Sequence, residues 1–207
     1  MSMSETLALE KHVVLSGRDG RALSARRLQC ADRCALQAFN RELSAASRAR
    51  FLPHAYDDRT VDRLLLRSEA GDDLVMGLFD HSSAVPRPRI VGYCFLWYFR
   101  ERVPLLGIGL LDAYQGFGLG RAMVRLLIKQ ARAVGCEGVE LTTLPDNDRA
   151  FALYEKCGFR HYADVPNLDG SGRTIVERAM FLEIKPGARP LDKPHAPPIC
   201  NTSINSG

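Results

Sequence analysis

A glycine-rich hexapeptide at residues 115–120, Gln-Gly-Phe-Gly-Leu-Gly, lies between an apolar strand-like run and an amphipathic helical pattern. A turn that opens a helix gathers several backbone N–H groups that have no intrahelical partner. The helix dipole places partial positive charge at the same point, which suits a phosphate or pyrophosphate group. Glycine lets the backbone approach such an anion closely because no Cβ intervenes. The hexapeptide therefore predicts a strand–loop–helix unit whose loop binds phosphate.

The glycine spacing separates this loop from two common phosphate-binding motifs. A P-loop requires Gly-Lys-Ser/Thr, whereas Gly120 is followed by Arg121 and Ala122, and the dinucleotide fingerprint G-x-G-x-x-G does not fit either. The pattern that fits is Q-x-x-G-x-G, formed by Gln115, Gly118 and Gly120. This pattern resembles the pyrophosphate loop of the GNAT superfamily of acyl-CoA-dependent N-acyltransferases.

A second motif follows the first at the spacing that this superfamily shows. A strand-like run at 139–144 leads into N-x-x-A-x-x-x-Y-x-x-x-G-F, which begins at Asn147, includes Ala150 and Tyr154, and ends at Phe159. In GNAT proteins a similar strand leads into a similar segment. The resemblance is strong over about residues 88–163, and with both motifs in order the chain is identified as a member of the superfamily. Acetyl-CoA is the cofactor that this resemblance implies.

The composition is that of one folded domain without an unusual partner. The chain has 207 residues, of which 46% are hydrophobic and 25% charged. A net charge of +4 is too small to indicate nucleic-acid binding. No apolar run approaches the length of a membrane span, and residues 1–11 do not resemble a signal peptide. The scattered cysteines predict reduced thiols, no metal site and a cytoplasmic location.

Apolar periodicity and turn residues predict an α/β domain. The predicted elements are a strand at 21–29, helices at 32–43 and 60–68, strands at 73–80, 89–100 and 105–111, a helix at 119–134, a strand at 139–144, a helix at 148–157 and strands at 159–163 and 174–184. Asp32 is the predicted cap of the first helix, 44–53 a basic connection and 85–88 a proline-rich turn. The resemblance implies a single GNAT-like domain with a mixed central sheet, splayed fourth and fifth strands and about four flanking helices.

The two ends of the chain are predicted to lie outside that domain. Residues 1–20 read as a loose lead-in, 21–184 as the acyltransferase domain, and 185–207 as a polar tail rich in proline and glycine. Because the tail lacks apolar periodicity, we expect it to be dispensable for folding and for cofactor binding.

The resemblance assigns the acid of the reaction to Tyr154. Forming an amide from a thioester requires a positioned carbonyl, an amine that loses a proton and an acid for the departing thiolate. Tyr154 matches the tyrosine that commonly protonates the coenzyme A sulfur in this superfamily. A phenol with a pKa near 10 stays protonated at neutral pH and can donate. The alternative is a tyrosine that only packs its helix against the sheet.

The resemblance also implies where the cofactor binds. Leu110, Leu111 and Asp112 lie where the splayed strand exposes backbone that pairs with the pantetheine arm, as in strand addition. A backbone N–H there can also polarise the thioester carbonyl. Asn147 contacts the pantetheine arm, caps its helix, or does both. The predicted cofactor-binding residues are Leu110, Leu111, Asp112, Gln115, Gly116, Phe117, Gly118, Leu119, Gly120, Arg121 and Asn147.

The base and the acceptor stay open at this stage. The strand at 105–111 has no ionisable side chain, so the base is Glu101, Asp112, His81 or a water relay. The sequence predicts a direct attack by an amine, on a protein lysine or a small molecule. The first two helices, residues 95–98 and the last strands are expected to bind that acceptor in a monomer or homodimer. The alternative function is a non-catalytic module that senses acyl-CoA.

Overall fold

The computed structural model describes residues 12–82 and 89–199, and these form one eight-stranded sheet with helices on its faces. The strands are β1 (Val13–Ser16), β2 (Ala22–Arg27), β3 (Leu74–Asp80), β4 (Arg89–Trp97), β5 (Leu105–Leu110), β6 (Gly138–Thr143), β7 (Arg160–Leu168) and β8 (Thr174–Glu183). The helices are α1 (Arg33–Glu42), α2 (Ala45–Arg50), α3 (Asp58–Ala70), α4 (Leu119–Ala133) and α5 (Asp148–Glu155). No helix among these residues is both long enough and apolar enough to cross a membrane.

The sheet order is β1-β2-β3-β4-β5-β6-β8-β7, and neighbouring strands are antiparallel except β5 and β6. The predicted mixed α/β domain is confirmed, with five α-helices in the described residues where about four were expected. The predicted splay is also confirmed. β5 and β6, the fourth and fifth strands of the prediction, share the register pair Leu105–Glu140 at the start of β5 and then diverge.

Helix α4 shows how the sequence fixes the central element. Its apolar positions follow helical spacing, and Leu119, Met123 and Leu127 are buried against the sheet. The helix begins after Gly118, which has φ +88°, and Gly135 with φ +82° follows its end. The predicted bounds of 119–134 are therefore confirmed to within one residue.

Three short elements escaped the sequence prediction. Strand β1 lies inside the predicted lead-in, and helix α2 lies inside the predicted basic connection, where the hydroxyl of Ser44 accepts a hydrogen bond from Ser47 N at 3.1 Å. Four and six residues are too few to show a period. Strand β7 continues to Leu168, beyond the predicted end at 163, because Pro166 is tolerated on this edge strand.

Asp32 does not cap α1 through its side chain, which was the prediction. Its carboxylate instead accepts two hydrogen bonds of 2.7 Å from Arg26 and one of 2.9 Å from Gln29 N. The burial of Asp32 opposes ionisation, but these donors outweigh it and lower the pKa of the carboxyl. The prediction of a proline-rich turn at 85–88, and those for residues 1–11 and 200–207, lie outside the described residues.

The described part of the tail forms no helix or strand, but it packs on the domain. Leu191 N donates a hydrogen bond of 2.7 Å to Oε1 of Glu140, and Tyr98 Oη donates one of 2.7 Å to the Ala196 carbonyl. The His195 ring stacks on Tyr98 with centroids 4.0 Å apart, and Ile199 is 1% exposed. The expectation of a dispensable tail is revised accordingly, because sparse apolar residues without a period still bury themselves here.

Candidate active site

A cleft of about 950 Å³ opens where β5 and β6 diverge. It is bordered by the glycine loop, α2, α5 and the hairpin of β7 and β8. Of the predicted site residues, those that line it are Leu110, Asp112, Gln115, Gly116, Gly118, Gly120, Arg121, Asn147 and Tyr154. Leu111 and Leu119 are buried in the core, and Phe117 packs under the guanidinium of Arg21. These three do not line the cleft, so only their backbone is placed to take part.

The glycine loop has the conformation that its sequence suggested. Gly116 and Gly118 have φ of +89° and +88°, a region that other residues rarely adopt. Ala122 N donates to the Gly118 carbonyl at 3.1 Å, at the start of α4. The amides of the first helical turn before Ala122 therefore lie ahead of the helical hydrogen-bond ladder, where an anion is favoured.

Two arginines that the sequence analysis did not select support this loop. Arg18, in the turn between β1 and β2, donates from Nη2 to the Gly116 carbonyl at 2.9 Å and from its backbone N to the Phe117 carbonyl at 2.8 Å. Arg149 donates to Oε1 of Gln115 at 3.2 Å. Both line the cleft together with Arg121, so positive charge concentrates at the loop. Arg18 was missed because its turn lies in the predicted lead-in.

Gln115 and Asp112 fasten the loop to its surroundings. Gln115 Nε2 donates to the Leu110 carbonyl and to Ser47 Oγ, each at 3.1 Å. Ser47 in turn donates to the Asp112 carboxylate, and this bond, with a smaller contribution from Ser44, lowers the pKa of Asp112. An exposed carboxylate with a lowered pKa is a weak base, so the geometry argues against Asp112 in that role.

Asn147 caps helix α5, one of the two roles weighed for it. Its Oδ1 accepts a hydrogen bond of 3.3 Å from Ala150 N. The residue also lines the cleft, so the pantetheine contact stays a prediction beside the observed cap.

Tyr154 lies in α5 with its side chain 6% exposed, and it lines the cleft. Its ring contacts Phe159 edge to face, with centroids 5.9 Å apart. Among the described residues its hydroxyl forms no hydrogen bond, which leaves the donor available. Burial raises the pKa of Tyr154 above its usual 10, with smaller contributions from Cys157 and Glu177. The phenol is therefore fully protonated at neutral pH.

The remaining base candidates lie outside the cleft. Glu101 faces His195 Nε2 at 3.5 Å, and the His81 ring bonds with Ser24 Oγ at 2.6 Å. Neither residue lines the cleft.

A carboxylate that the sequence analysis missed, Glu177 on β8, does line the cleft. Glu177 accepts a hydrogen bond of 2.8 Å from Asn167 Nδ2. Its charge also contributes to the raised pKa of Tyr154, which places the two side chains near one another. Alternation along the last strand puts Glu177 on the face of Ile175, but the sequence does not show which face meets the cleft.

The glycines within β5 make room for aromatic rings. A Cβ on Gly107 would lie 2.1 Å from the Phe95 ring, and one on Gly109 would lie 2.4 Å from the Phe51 ring. Phe95 stacks on Trp97 with centroids 4.0 Å apart. The predicted acceptor region at 95–98 therefore borders the cleft through Phe95 and Trp97, while α3, the predicted second helix, does not line it and α2 does.

Comparison with known proteins gives the family. The model of the Acetyltransferase (GNAT) family matches residues 36–159, which include both motifs. The GNAT domain of PAT from S. lividans has a TM-score of 0.67 at 16% identity, with 84% of this chain and 97% of that one covered. The structure of yncA from Salmonella typhimurium with its cofactor acetyl-CoA gives 0.63 at 19% identity, with 83% and 99% covered.

One curated relative is the mycothiol acetyltransferase of Corynebacterium glutamicum (strain R). It is 48% identical over 52 residues, which are 25% of this chain and 18% of that protein. The chain thus spans less than a fifth of that relative's length, and the solved structures share its fold. Because the family model covers more than half of the chain, including the glycine loop and Tyr154, the chain belongs to the acetyltransferase (GNAT) family.

Proposed function

We propose that this chain is an N-acetyltransferase that moves the acetyl group of acetyl-CoA to a primary amine by direct attack. The observation that carries the proposal is the Tyr154 hydroxyl, which is protonated, free of a hydrogen-bond partner among the described residues and set in the cleft. A tyrosine that served only packing would gain nothing from that placement.

Coenzyme A fits the residues that border the cleft. The left-handed glycines and the start of α4 offer backbone N–H groups to a pyrophosphate, and Arg18, Arg121 and Arg149 add positive charge. Beyond Leu105, the edge of β5 is released from β6 and can pair with the pantetheine amides. We infer that Leu110, Leu111 and Asp112 contribute backbone groups there.

The chemistry then follows from three groups. The amine nitrogen attacks the thioester carbonyl, whose oxygen is stabilised by a backbone N–H at the end of β5. The carbon–sulfur bond breaks, and the leaving sulfur takes the phenolic proton of Tyr154. The proton that the amine loses passes to Glu177, the cleft carboxylate near Tyr154, directly or through water. Solvent then returns a proton to Tyr154.

The test is release of the coenzyme A thiol from acetyl-CoA in the presence of a panel of amines and lysine peptides. Thiol release that depends on the acceptor, together with an acetylated amine found by mass spectrometry, supports the proposal. The second candidate is a non-catalytic sensor, favoured by the absence of an ionisable side chain on β5. It predicts acetyl-CoA binding by calorimetry without thiol release. A cytoplasmic location and a monomeric or homodimeric state belong to the proposal as well.

A further inference from the structure

The cleft has two chemically different ends. Trp97 pairs with Leu105 at the start of β5, whereas the glycine loop follows the other end of the strand. The first end is apolar, since Phe95 and Trp97 are 2% and 1% exposed and Phe51 packs across Gly109. The loop end carries the arginines. The apolar end is therefore available to the acceptor once coenzyme A occupies the loop.

Two loops meet over the cleft. Gly170 N, at the tip of the β7–β8 hairpin, donates a hydrogen bond of 2.8 Å to the Leu52 carbonyl. A Cβ on Gly170 would lie 2.4 Å from the carbonyl of His54, so the hairpin tip touches this backbone. Leu52 and Leu168 line the cleft from the two sides of this bridge. The bridge leaves no room for a polypeptide to lie along this part of the cleft.

The tail adds another apolar wall. Pro197 lines the cleft, and its position is fixed by the neighbouring residues. Tyr98 Oη donates to the Ala196 carbonyl at 2.7 Å, and the His195 ring stacks on the Tyr98 ring. The acceptor end is thus enclosed by segments that are distant in sequence.

One carboxylate faces this enclosure with its charge uncompensated by a cation among the described residues. Asp169 is paired with Arg173 at 2.8 Å, and the carboxylate of Asp112 is held by Ser47. Glu177, in contrast, accepts its hydrogen bond from the neutral amide of Asn167. An ammonium group would complement Glu177 by a charge-assisted hydrogen bond.

We propose that the acceptor is a small primary amine with an apolar or aromatic body, whose ammonium group binds Glu177 while its body packs on Phe95, Trp97 and Pro197. The inference rests on the proposed acetyl transfer and names its substrate class. It favours an arylalkylamine over a polyamine, whose further charges would lie against apolar walls, and over a lysine within a peptide.

The experiment compares kcat/KM for 2-phenylethylamine, spermidine and a lysine-containing peptide, with acetyl-CoA as donor. We expect 2-phenylethylamine to exceed both others by roughly tenfold or more, about 1.4 kcal/mol. Turnover with spermidine or the peptide at an equal or higher kcat/KM overturns the inference and leaves the proposed function intact. Acetyl-CoA binding without thiol release from any acceptor overturns the proposed function itself.

Two variants with matched controls test the site. Glu177→Gln should lower kcat/KM for 2-phenylethylamine by roughly 10- to 100-fold through the lost charge, with the KM of acetyl-CoA unchanged. Glu155→Gln makes the same change at an exposed position of α5 and should have no effect. Wild-type kcat/KM in Glu177→Gln would remove Glu177 from the site.

Gly170→Ala should push the hairpin tip from the loop at residues 52–54 and narrow the preference over the peptide by several-fold. Gly172→Asn, at a left-handed position with φ +83° and open space around it, is the control. An unchanged preference in a folded Gly170→Ala variant would show that the bridge does not select the acceptor.

Discussion

Leu105 and Glu140 form the register pair that joins β5 to β6, and the described residues form no second pair between these strands. Glu140 N also donates to the Pro104 carbonyl at 3.0 Å, so the strands are tied at the start of β5. Every later residue of β5 turns an edge toward the cleft. The fold therefore creates the binding site by leaving two parallel strands unpaired where a continuous sheet would close it.

Replacing Tyr154 by phenylalanine should separate catalysis from stability. The change keeps the ring contact with Phe159 and removes a hydroxyl that has no hydrogen-bond partner in the described residues. Turnover should fall by roughly 10²–10⁴-fold, the usual effect of losing a general acid. Because no buried partner is left unsatisfied, the free energy of unfolding should change by less than about 1 kcal/mol.

Turnover, coenzyme A affinity and melting temperature are to be measured on that same variant. Wild-type turnover would remove Tyr154 from the mechanism. A loss of stability with normal turnover per folded molecule would instead support the packing role that was the alternative for this residue.

The glycine loop should respond differently at its two glycines. Gly120 has no positive φ, and a Cβ there would lie 3.5 Å from Leu153 Cδ2, which is ordinary contact. Gly120→Ala should therefore fold, whereas Gly120→Val should block the approach of the pyrophosphate. Gly118→Ala strains a residue at φ +88° and displaces the start of α4.

We expect Gly120→Val and Gly118→Ala each to weaken coenzyme A binding by more than about tenfold, or 1.4 kcal/mol, in calorimetric titrations. Gly120→Ala serves as the control for side-chain size. Unchanged affinity in a folded Gly120→Val variant would contradict the assignment of this loop to phosphate.

What the sequence predicted well was local. The Gln115–Gly120 pattern and the Asn147–Tyr154 spacing each lie within one loop and helix, so the order of residues carries the geometry. Arg18 and Glu177 reach the cleft through strand pairing between distant segments, and no short-range pattern reports that pairing. Helix α2 and the docked tail were missed for a related reason, since neither is long enough to show a period.

Acid should destabilise the protein through His54. This side chain is fully buried; its Nδ1 lies 2.7 Å from the Ala55 carbonyl and its Nε2 2.9 Å from Tyr93 Oη. The carbonyl can only accept, so Nδ1 carries the proton and Tyr93 donates to Nε2. Burial lowers the pKa of His54 from 6.5 to about 4.

The unfolded chain therefore binds this proton first as the pH falls, and stability is lost from about pH 6.5 down to about pH 4. The contribution to the slope is at most about 1.4 kcal/mol per pH unit. Denaturant unfolding between pH 4 and pH 7.5 should show a shallower dependence in His54→Gln than in the wild type. Equal slopes for the two proteins would mean that other groups govern the acid sensitivity.

Ending the chain after Gly187 should lower the melting temperature. Truncation removes the buried Ile199 side chain, whose burial stabilises the fold by about 1.5–3 kcal/mol. It also removes the Leu191 N–H that donates to Glu140, a 1% exposed carboxylate whose pKa is raised by burial and whose Oε2 already has no partner. Losing that donor leaves Glu140 less well satisfied, at a further cost of about 1–3 kcal/mol.

Together these losses should lower the melting temperature by roughly 5–15 °C, given about 2–4 °C per kcal/mol for a domain of this size. Ile199→Ala in the full chain should show part of the effect, and Lys193→Ala, at an exposed position of the same segment, should show none. Truncation should also raise the acceptor KM, because Pro197 leaves the cleft wall, while coenzyme A affinity at the distant glycine loop stays unchanged. A truncated chain that melts at the wild-type temperature would mean that the contacts of residues 188–199 add nothing to stability, which was the expectation from composition alone.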